Sequence, residues 1–523
     1  MVIKRMGGVG LIACLGLSSP PAQASDLADA IAKAYQSNPT LQSQRYELRA
    51  LDDAYARARA GLRPVAQLQI DGEYVDNRAG DASQALRLIS DPTVGRRLET
   101  NQVQARIALE QPLYSGGQAS GAVDQAALRI RAGRAALRGA EGDLLLQVIS
   151  AYADVRRDEE GLTVRQANLK ALQRQVDMTL ARQEAGEVTR TDVAQAQAQL
   201  EGARTQIVLG QVQLQASRAA FAALVGEEPG ALDPEPFLPL LPKAIEEALE
   251  LAEAGNPELM QAKLAEQESQ LRADMAKGAG RATISARTTY GASGELKPFY
   301  AQDQDTAWTA SVTFSKPLYA GGAYGATHRE ALNRNGADRL RIEATRRQTI
   351  QNVLGAWNQA AAARANIRAQ GVQVSAAKIA FDGMSEEFRV GQRSTLDVLV
   401  AEQNLREAQL ALLASRRDAY VAEAALLRQT GRLEVVAVTR GVPLYDPSAH
   451  LREVKSKGAV PWEGLVKAID ALAAPKAVGL RLEGPDLARA PRIEDVSSPR
   501  AEDMPLATSS RQAPLPGTMA KDH

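Results

Sequence analysis

The chain has 523 residues, with 62 Lys or Arg against 62 Asp or Glu, so it carries no net charge as written, and only 4% of it is aromatic. That balance excludes the basic stripe of a nucleic-acid binder and the acidic excess of a disordered solvating protein. Ala, Gln, Leu and Arg dominate, the composition of long helices.

The N-terminus reads as an export signal over residues 1–24. Lys4 and Arg5 open it, Met6 to Leu17 form its apolar stretch, and Ala22-Gln23-Ala24 supplies a small-x-small cleavage site that would leave Ser25 first. Leu11-Ile12-Ala13-Cys14 also fits a lipoprotein acylation box, so whether Cys14 is acylated or removed stays open. Cleavage after Ala24 would discard the one cysteine of the chain and with it any thiol chemistry. After this segment no run of about 18 apolar residues occurs, so no membrane-spanning helix is expected.

Two periods then alternate. Asp26 to Leu62 predicts helix interrupted at Asn38-Pro39, where Asn caps and Pro takes the first helical position. Leu68, Ile70 and Tyr74 alternate with Gln67, Gln69, Asp71 and Glu73, and Val103, Ala105, Ile107 and Leu109 alternate with Gln102, Gln104, Arg106 and Glu110, giving a hairpin connected through Asn77 to Gly95. From Gly117 to Gly186 there is no proline, and Val148, Val155, Leu162, Leu169 and Val176 repeat every seven residues. After the Gly186 turn come Val193, Leu200, Ile207, Leu214 and Phe221, interleaved with Ala196, Ala203, Gly210 and Ser217. Large residues at one heptad position and small ones at the other predict supercoiled helices in close approach. Five prolines between Gly226 and Pro242 predict a non-helical linker.

The pattern then repeats. Lys243 to Lys277 carries its own break at Asn256-Pro257. A second hairpin joins Ile284, Ala286 and Tyr290 to Trp308, Ala310, Val312 and Phe314 through Gly291 to Asp305. A second long helix fills Gly322 to Gly391, and a second returning helix Ser394 to Gln429. Gln111-Pro112-Leu113-Tyr114-Ser115-Gly116-Gly117 recurs as Lys316-Pro317-Leu318-Tyr319-Ala320-Gly321-Gly322, and the segment from Glu184 to Val193 recurs from Arg389 to Val398, both at an offset of 205 positions. One offset over so long a stretch means a duplicated architecture. The expected organisation is a first repeat over 25–225, a linker over 226–242, a second repeat over 243–431, a further segment over 432–483 with a short helix near Trp462 to Ala473, and a disordered tail over 484–523.

Four strands cannot close a membrane barrel, and open edges are not tolerated in lipid, so copies must share one: two would give eight strands, three would give twelve and a lumen. Polar residues such as Gln166, Gln173, Gln195, Gln197 and Gln199 run beside the apolar seams, as they would if one side of the helices packs and the other faces water.

The signal, the Asn-Pro half-helices, the two hairpins ending in Pro-Leu-Tyr-x-Gly-Gly and the twin Gly-x-x-[Thr/Ser]-x-x-Asp-Val turns together resemble the TolC family of outer-membrane channel-tunnels over roughly residues 25–431. The resemblance implies a mainly α protein with β strands. Its duplicated coiled-coil helices would form a periplasmic α-barrel tunnel, and its four strands would join a shared twelve-strand trimeric barrel in the outer membrane of a Gram-negative bacterium. It implies a homotrimer in outer-membrane lipid, fed by an inner-membrane ABC or RND transporter through a periplasmic adaptor. Type I secretion is favoured over multidrug efflux by the unlipidated N-terminus and the long tail. It implies a gate at the helix turns, with Asp397 lining the entrance, Arg393 and Asp192 in a charged link with Thr191 beside it, and Gln175 as a further polar contact. The second entrance aspartate of the family is Val400 here, so a trimer would carry three carboxylates there rather than six.

A plainer reading stands beside the gate. Thr189 with Asp192, and Ser394 with Asp397, have capping-box spacing with Asp in place of Glu or Gln. Gly186 and Gly391 suit left-handed turns that close helices. Pro112 and Pro317 are expected to stop strands and start helices beside Gly116, Gly117, Gly321 and Gly322. Tyr114 and Tyr319 suit either a membrane boundary or simple packing. His328, His450 and His523 have no metal-ligand spacing, and no nucleophile–base pair or phosphate-binding loop occurs, so neither enzyme activity nor a cofactor is expected. A trimeric coiled-coil surface adhesin is the alternative from another class.

Overall fold

The computed structural model describes residues 26–472 apart from 79–96, 237, 239–240, 296–299 and 440–441. The expected export signal with Cys14, nearly all of the first hairpin connector and the 484–523 tail lie outside the described residues.

Each half begins with a broken helix. Helix α1 (Leu27–Ser37) ends at Asn38, whose side chain accepts from the backbone N–H groups of Thr40 and Leu41 and so caps α2 (Pro39–Ala60). Strands β1 (Val65–Arg78) and β2 (Arg97–Tyr114) follow, then the long α3 (Gln118–Glu184) and the returning α4 (Arg190–Val225). The second half repeats the order: α5 (Ile245–Gly255), α6 (Pro257–Gly278) capped by Asn256, β3 (Thr283–Glu295), β4 (Asp305–Ser315), α7 (Ala323–Arg389) and α8 (Thr395–Gln429). Short helices α9 (Val435–Val438), α10 (Ala449–Val454) and α11 (Glu463–Ala471) close the described chain. Helices α3 and α7 are each 67 residues long, about 100 Å at 1.5 Å per residue. No described helix is long and apolar enough to cross a membrane.

The two asparagines also tie the ends of each half together. Asn38 Nδ2 donates to the Leu224 carbonyl at the end of α4, and Asn256 Nδ2 donates to the Gln429 carbonyl at the end of α8. The sequence pattern pointed to the cap but not to this second bond.

The seven-residue seams are the packed faces. Val193, Ala196, Leu200, Ala203, Gly210, Leu214, Ser217 and Phe221 of α4 are all buried. Gly210 shows why the small position is small: a Cβ there would stand 3.2 Å from Arg165 Cδ and 3.5 Å from Leu162 Cδ1. The largest apolar cluster joins α1, α2, α3 and the last turns of α4 and α8, with Tyr152 fully buried against Phe221.

The sheet is an antiparallel meander in the order β1-β2-β3-β4, leaving β1 and β4 as edges. Its strands are longer than the alternation alone marked. Asn77 and Arg78 belong to β1, and Gly291 to Glu295, expected as connector, continue β3. Gly291 lies where the neighbouring strand leaves no room for a side chain, since a Cβ would meet the Ala105 carbonyl at 2.9 Å. Pro112 also departs from expectation: β2 runs through it to Tyr114. The pairing slips there, with Pro112 facing Ser285 but Tyr114 facing Ile284, and such a bulge tolerates a residue without an N–H. Strand β4 does end before Pro317.

Candidate functional site

Two regions could carry function, the outer face of the sheet and the tip where the long helices turn. On the sheet, Leu68 pairs with Ile107, Ile107 with Tyr290 and Tyr290 with Trp308, a row running across all four strands. These four side chains are 54–71% exposed, and Ile70, Val312 and Phe314 beside them are 65–71% exposed. A continuous exposed apolar band on strands whose edges are open is suited to contact with lipid and with further strands.

At the sheet-to-helix junctions Gly116, Gly117, Gly321 and Gly322 have φ of 69°, 88°, 57° and 84°, a left-handed bend that glycine alone enters freely. The first junction is held by a residue that no local pattern marks. Asp470 of α11 accepts from Ser115 N and Oγ at 2.7 and 2.8 Å, from Gly117 N at 3.1 Å, and from Ser120 N and Oγ at 2.9 and 2.8 Å. Burial would raise its pKa, but these hydrogen bonds outweigh burial and hold the carboxyl below the usual range. In the second junction Ala320 and Gly325 replace Ser115 and Ser120.

At the other end, Gly186 and Gly391 have φ of 78° and 79°. Beyond each, a backbone N–H reaches back to the helix it closes, Glu187 to the Arg182 carbonyl and Gln392 to the Glu387 carbonyl, both at 2.9 Å. The next helix starts with a complete capping box. Asp192 Oδ2 accepts from Thr189 N and Oγ1 at 2.9 and 2.8 Å, and Asp397 Oδ2 accepts from Ser394 N and Oγ at 3.1 and 2.8 Å. These bonds hold both carboxyls below their ordinary range. For Asp192 the backbone bond from Thr189 leads; for Asp397 the Ser394 hydroxyl leads and neighbouring Arg393 adds to it. Arg393 Nε donates to Glu387 Oε2 at 2.7 Å across the Gly391 turn. Within one chain, therefore, Asp192 and Arg393 have separate partners and no ion pair joins them. Thr191 is exposed, and so is Val400, at 48%.

Gln175 is placed differently, in the wall of a cavity of about 310 Å³ between the two hairpins. Arg174 and Met178 of α3, Phe381 and Phe388 of α7 and Glu402 of α8 share that wall. Gln175 is buried and its Nε2 has no hydrogen-bond partner. Phe388 lies under the Arg182 guanidinium, 4.6 Å from its ring centroid. Phe388 was legible as a heptad residue; Glu402, buried to 9% exposure, carried no signal because it lies beside the small seam residue Ala401.

Three comparisons bear on this architecture. The model of the family described as outer membrane efflux protein matches residues 30–227 and 248–432. Outer membrane efflux protein BepC of Brucella suis is 32% identical over 86% of this chain and 94% of its own length. The proteases secretion protein PrtF of Dickeya chrysanthemi is 26% identical over 76% of this chain and 86% of its own. Among solved structures, the CmeC outer membrane channel of Campylobacter jejuni superimposes with a TM-score of 0.68 at 13% identity, over 82% of this chain and 89% of that one.

Proposed function

The chain belongs to the outer membrane efflux protein family, whose members are transport channels of the Gram-negative outer membrane, and from that premise we propose that three copies of it form a passive exit duct. The observation that carries this reading is the sheet: four strands with two open edges and an exposed apolar row. Three copies would pair β4 of one with β1 of the next into a twelve-strand barrel, leaving no edge in lipid. The exposed face of α7, with Leu340, Val372 and Ile379 at 68–74%, would pack against the neighbouring copy. The cargo would be delivered by an inner-membrane pump through a periplasmic adaptor.

We propose the turn end as the gate. With Asp192 and Arg393 committed to other partners inside the chain, the charged link would form between copies, Thr191 lying beside it, and Asp397 would ring the entrance. The domain organisation at 25–225, 226–242 and 243–431 follows the same reading, each repeat supplying one hairpin and one pair of ribs. For the route served, the relative named as an efflux protein at 32% identity favours an efflux system, while the protease-secretion relative at 26% and the tail support protein secretion as the second reading. Mass measurement of the detergent-extracted protein tests the core claim. A trimer that conducts in a planar bilayer is expected, and a folded monomer overturns it. Deleting the gene in its host separates the routes, as lost resistance to toxic compounds or as a lost secreted protein.

A further inference from the structure

The tip cavity holds a group that the gate described above does not use. Glu402 is 9% exposed on α8, beneath the Ser394–Asp397 cap. Its carboxylate opens into the cavity beside Met178, Phe381 and Phe388, and among the described residues no hydrogen bond or ion pair within 4 Å reaches it. The charged groups facing it are few. Arg174 comes from α3, Arg406 from its own helix, and Arg389 of α7 lines the same cavity but is paired with Glu386 at 2.9 Å. The one unpartnered amide there is Gln175 Nε2, from the opposite hairpin. The cavity therefore lies on the seam between α3 and the α7/α8 hairpin, with an acid on one side and an unused donor on the other.

We propose that Glu402 is a positioning residue for the gate, whose protonation lets the α7/α8 hairpin seat against α3 and whose ionisation drives the two apart. The inference rests on the channel reading and on opening at this seam. With the hairpins together, burial raises the Glu402 pKa to about 7, Arg406 and Arg174 offsetting part of the effect. With the hairpins parted the cavity floods, and an exposed glutamate titrates near 4.3. The sign follows from linkage: the closed tip binds more protons, so its advantage is complete below about pH 4.3 and is lost as pH rises towards 7. Across that window the closed-to-open ratio should fall roughly 500-fold for each Glu402.

The test is the open fraction of full-length channels in planar bilayers between pH 4 and 8.5, read separately from unit conductance, which lumenal charges also change. The wild type should open progressively up to about pH 7 and level off above it. Glu402→Gln should stay at the low-pH value throughout, and Glu402→Asp should restore the rise. Arg174→Gln removes a charge that favours ionised Glu402, so its rise should extend to higher pH. It decides the matter if Glu402→Gln fails to assemble. A Glu402→Gln channel with the wild-type profile, or an Arg174→Gln profile unmoved or shifted down, overturns the inference alone. A wild-type trimer that never conducts overturns the channel reading and this one with it.

Discussion

The long helices α3 and α7 have the same length and the same heptad plan, yet twenty-seven residues of α3 are buried and only seven of α7. Helix α3 has α2 and α6 along its sides, α4 and α8 against its lower half, and α11 at its start. Among the described elements, helix α7 packs chiefly on α6, α5 and α8 and meets α3 only near the tip, where Phe388 lies under Arg182. The junctions differ in the same way. Gly116 is buried and its missing Cβ would meet Arg281 at 2.9 Å, whereas a Cβ added at Gly321 or Gly322 would meet nothing beyond its chain neighbours within 4 Å among the described residues, and Leu318 and Tyr319 are 91% and 90% exposed. Duplication copied the element order but not the environment. The first repeat is finished by its own chain, and the second presents apolar surface suited to a neighbour.

The largest effects should come from placing one charge at matched positions of the two helices. Ala135 and Leu340 correspond at the 205-residue offset, but Ala135 is 2% exposed and Leu340 73%. Ala135→Asp buries an unpaired carboxylate at a cost of several kcal/mol and should prevent accumulation of folded protein. Leu340→Asp should leave the chain folded, by circular dichroism, and shift its mass from trimer to monomer. If both variants fold and both assemble, α7 is not an interface.

The helix-ending glycines sharpen the contrast. Gly226 and Gly431 also correspond, with φ of 90° and 70°. A Cβ at Gly226 has only Ser37 Oγ within reach, at 3.6 Å, so Gly226→Ala should cost about 1 kcal/mol from backbone strain. At Gly431 the added Cβ would lie 2.2 Å from the Gly255 carbonyl oxygen, which belongs to backbone and cannot step aside. Gly431→Ala should cost roughly 3 kcal/mol or more, seen as a lower denaturant midpoint.

Next comes the brace that only the first junction has. Asp470→Ala strips the acceptor from two backbone N–H groups in the first turns and from Ser115 N, a loss of about 3 kcal/mol confined to the α3 start. Hydrogen exchange should rise there and stay unchanged at the α7 start. Acid should imitate the variant. Asp470, and Glu463 held by Arg63 and Arg59, both have depressed carboxyl pKa values in the fold. Their contribution is therefore fully present above the ordinary carboxylate range near 4, weakens as pH falls below that range, and is lost as pH falls through their depressed values.

Local patterns carried most of the fold. Period two located all four strands, period seven located the seams, and the Asn-Pro and Gly signals located the helix ends, because each depends on neighbours in sequence. What stayed hidden depends on partners far along the chain. Asp470 meets Ser115 across 355 positions, Asn38 meets Leu224 across 186, and Glu402 is one more helix-face acid until Phe381 and Met178 join it in the cavity wall. The strand ends depend on distant partners too: Gly291 to Glu295 look like a turn by composition but are strand because all five pair with β2, and Gly291 to Ser293 with β4 as well. At the tip the capping spacing was readable, but a cap and a gate use the same aspartate, and spacing cannot divide the two roles.

The smallest structural effect, and the sharpest separation of those roles, should therefore come from the two capping aspartates. Their hydrogen bonds are nearly the same, so Asp192→Ala and Asp397→Ala should fray the starts of α4 and α8 to a similar, local extent by hydrogen exchange. Conduction should tell them apart. If Asp192 links to Arg393 of another copy, Asp192→Ala and Arg393→Ala each raise conductance by loosening the closed tip. If Asp397 lines the entrance, Asp397→Asn keeps a hydrogen-bonding cap yet weakens block by added multivalent cations. Since Val400 supplies no second carboxylate, that block should be mild in the wild type already. Equal fraying with no change in conductance or block would leave both aspartates as caps and move the gate elsewhere on the seam between the hairpins.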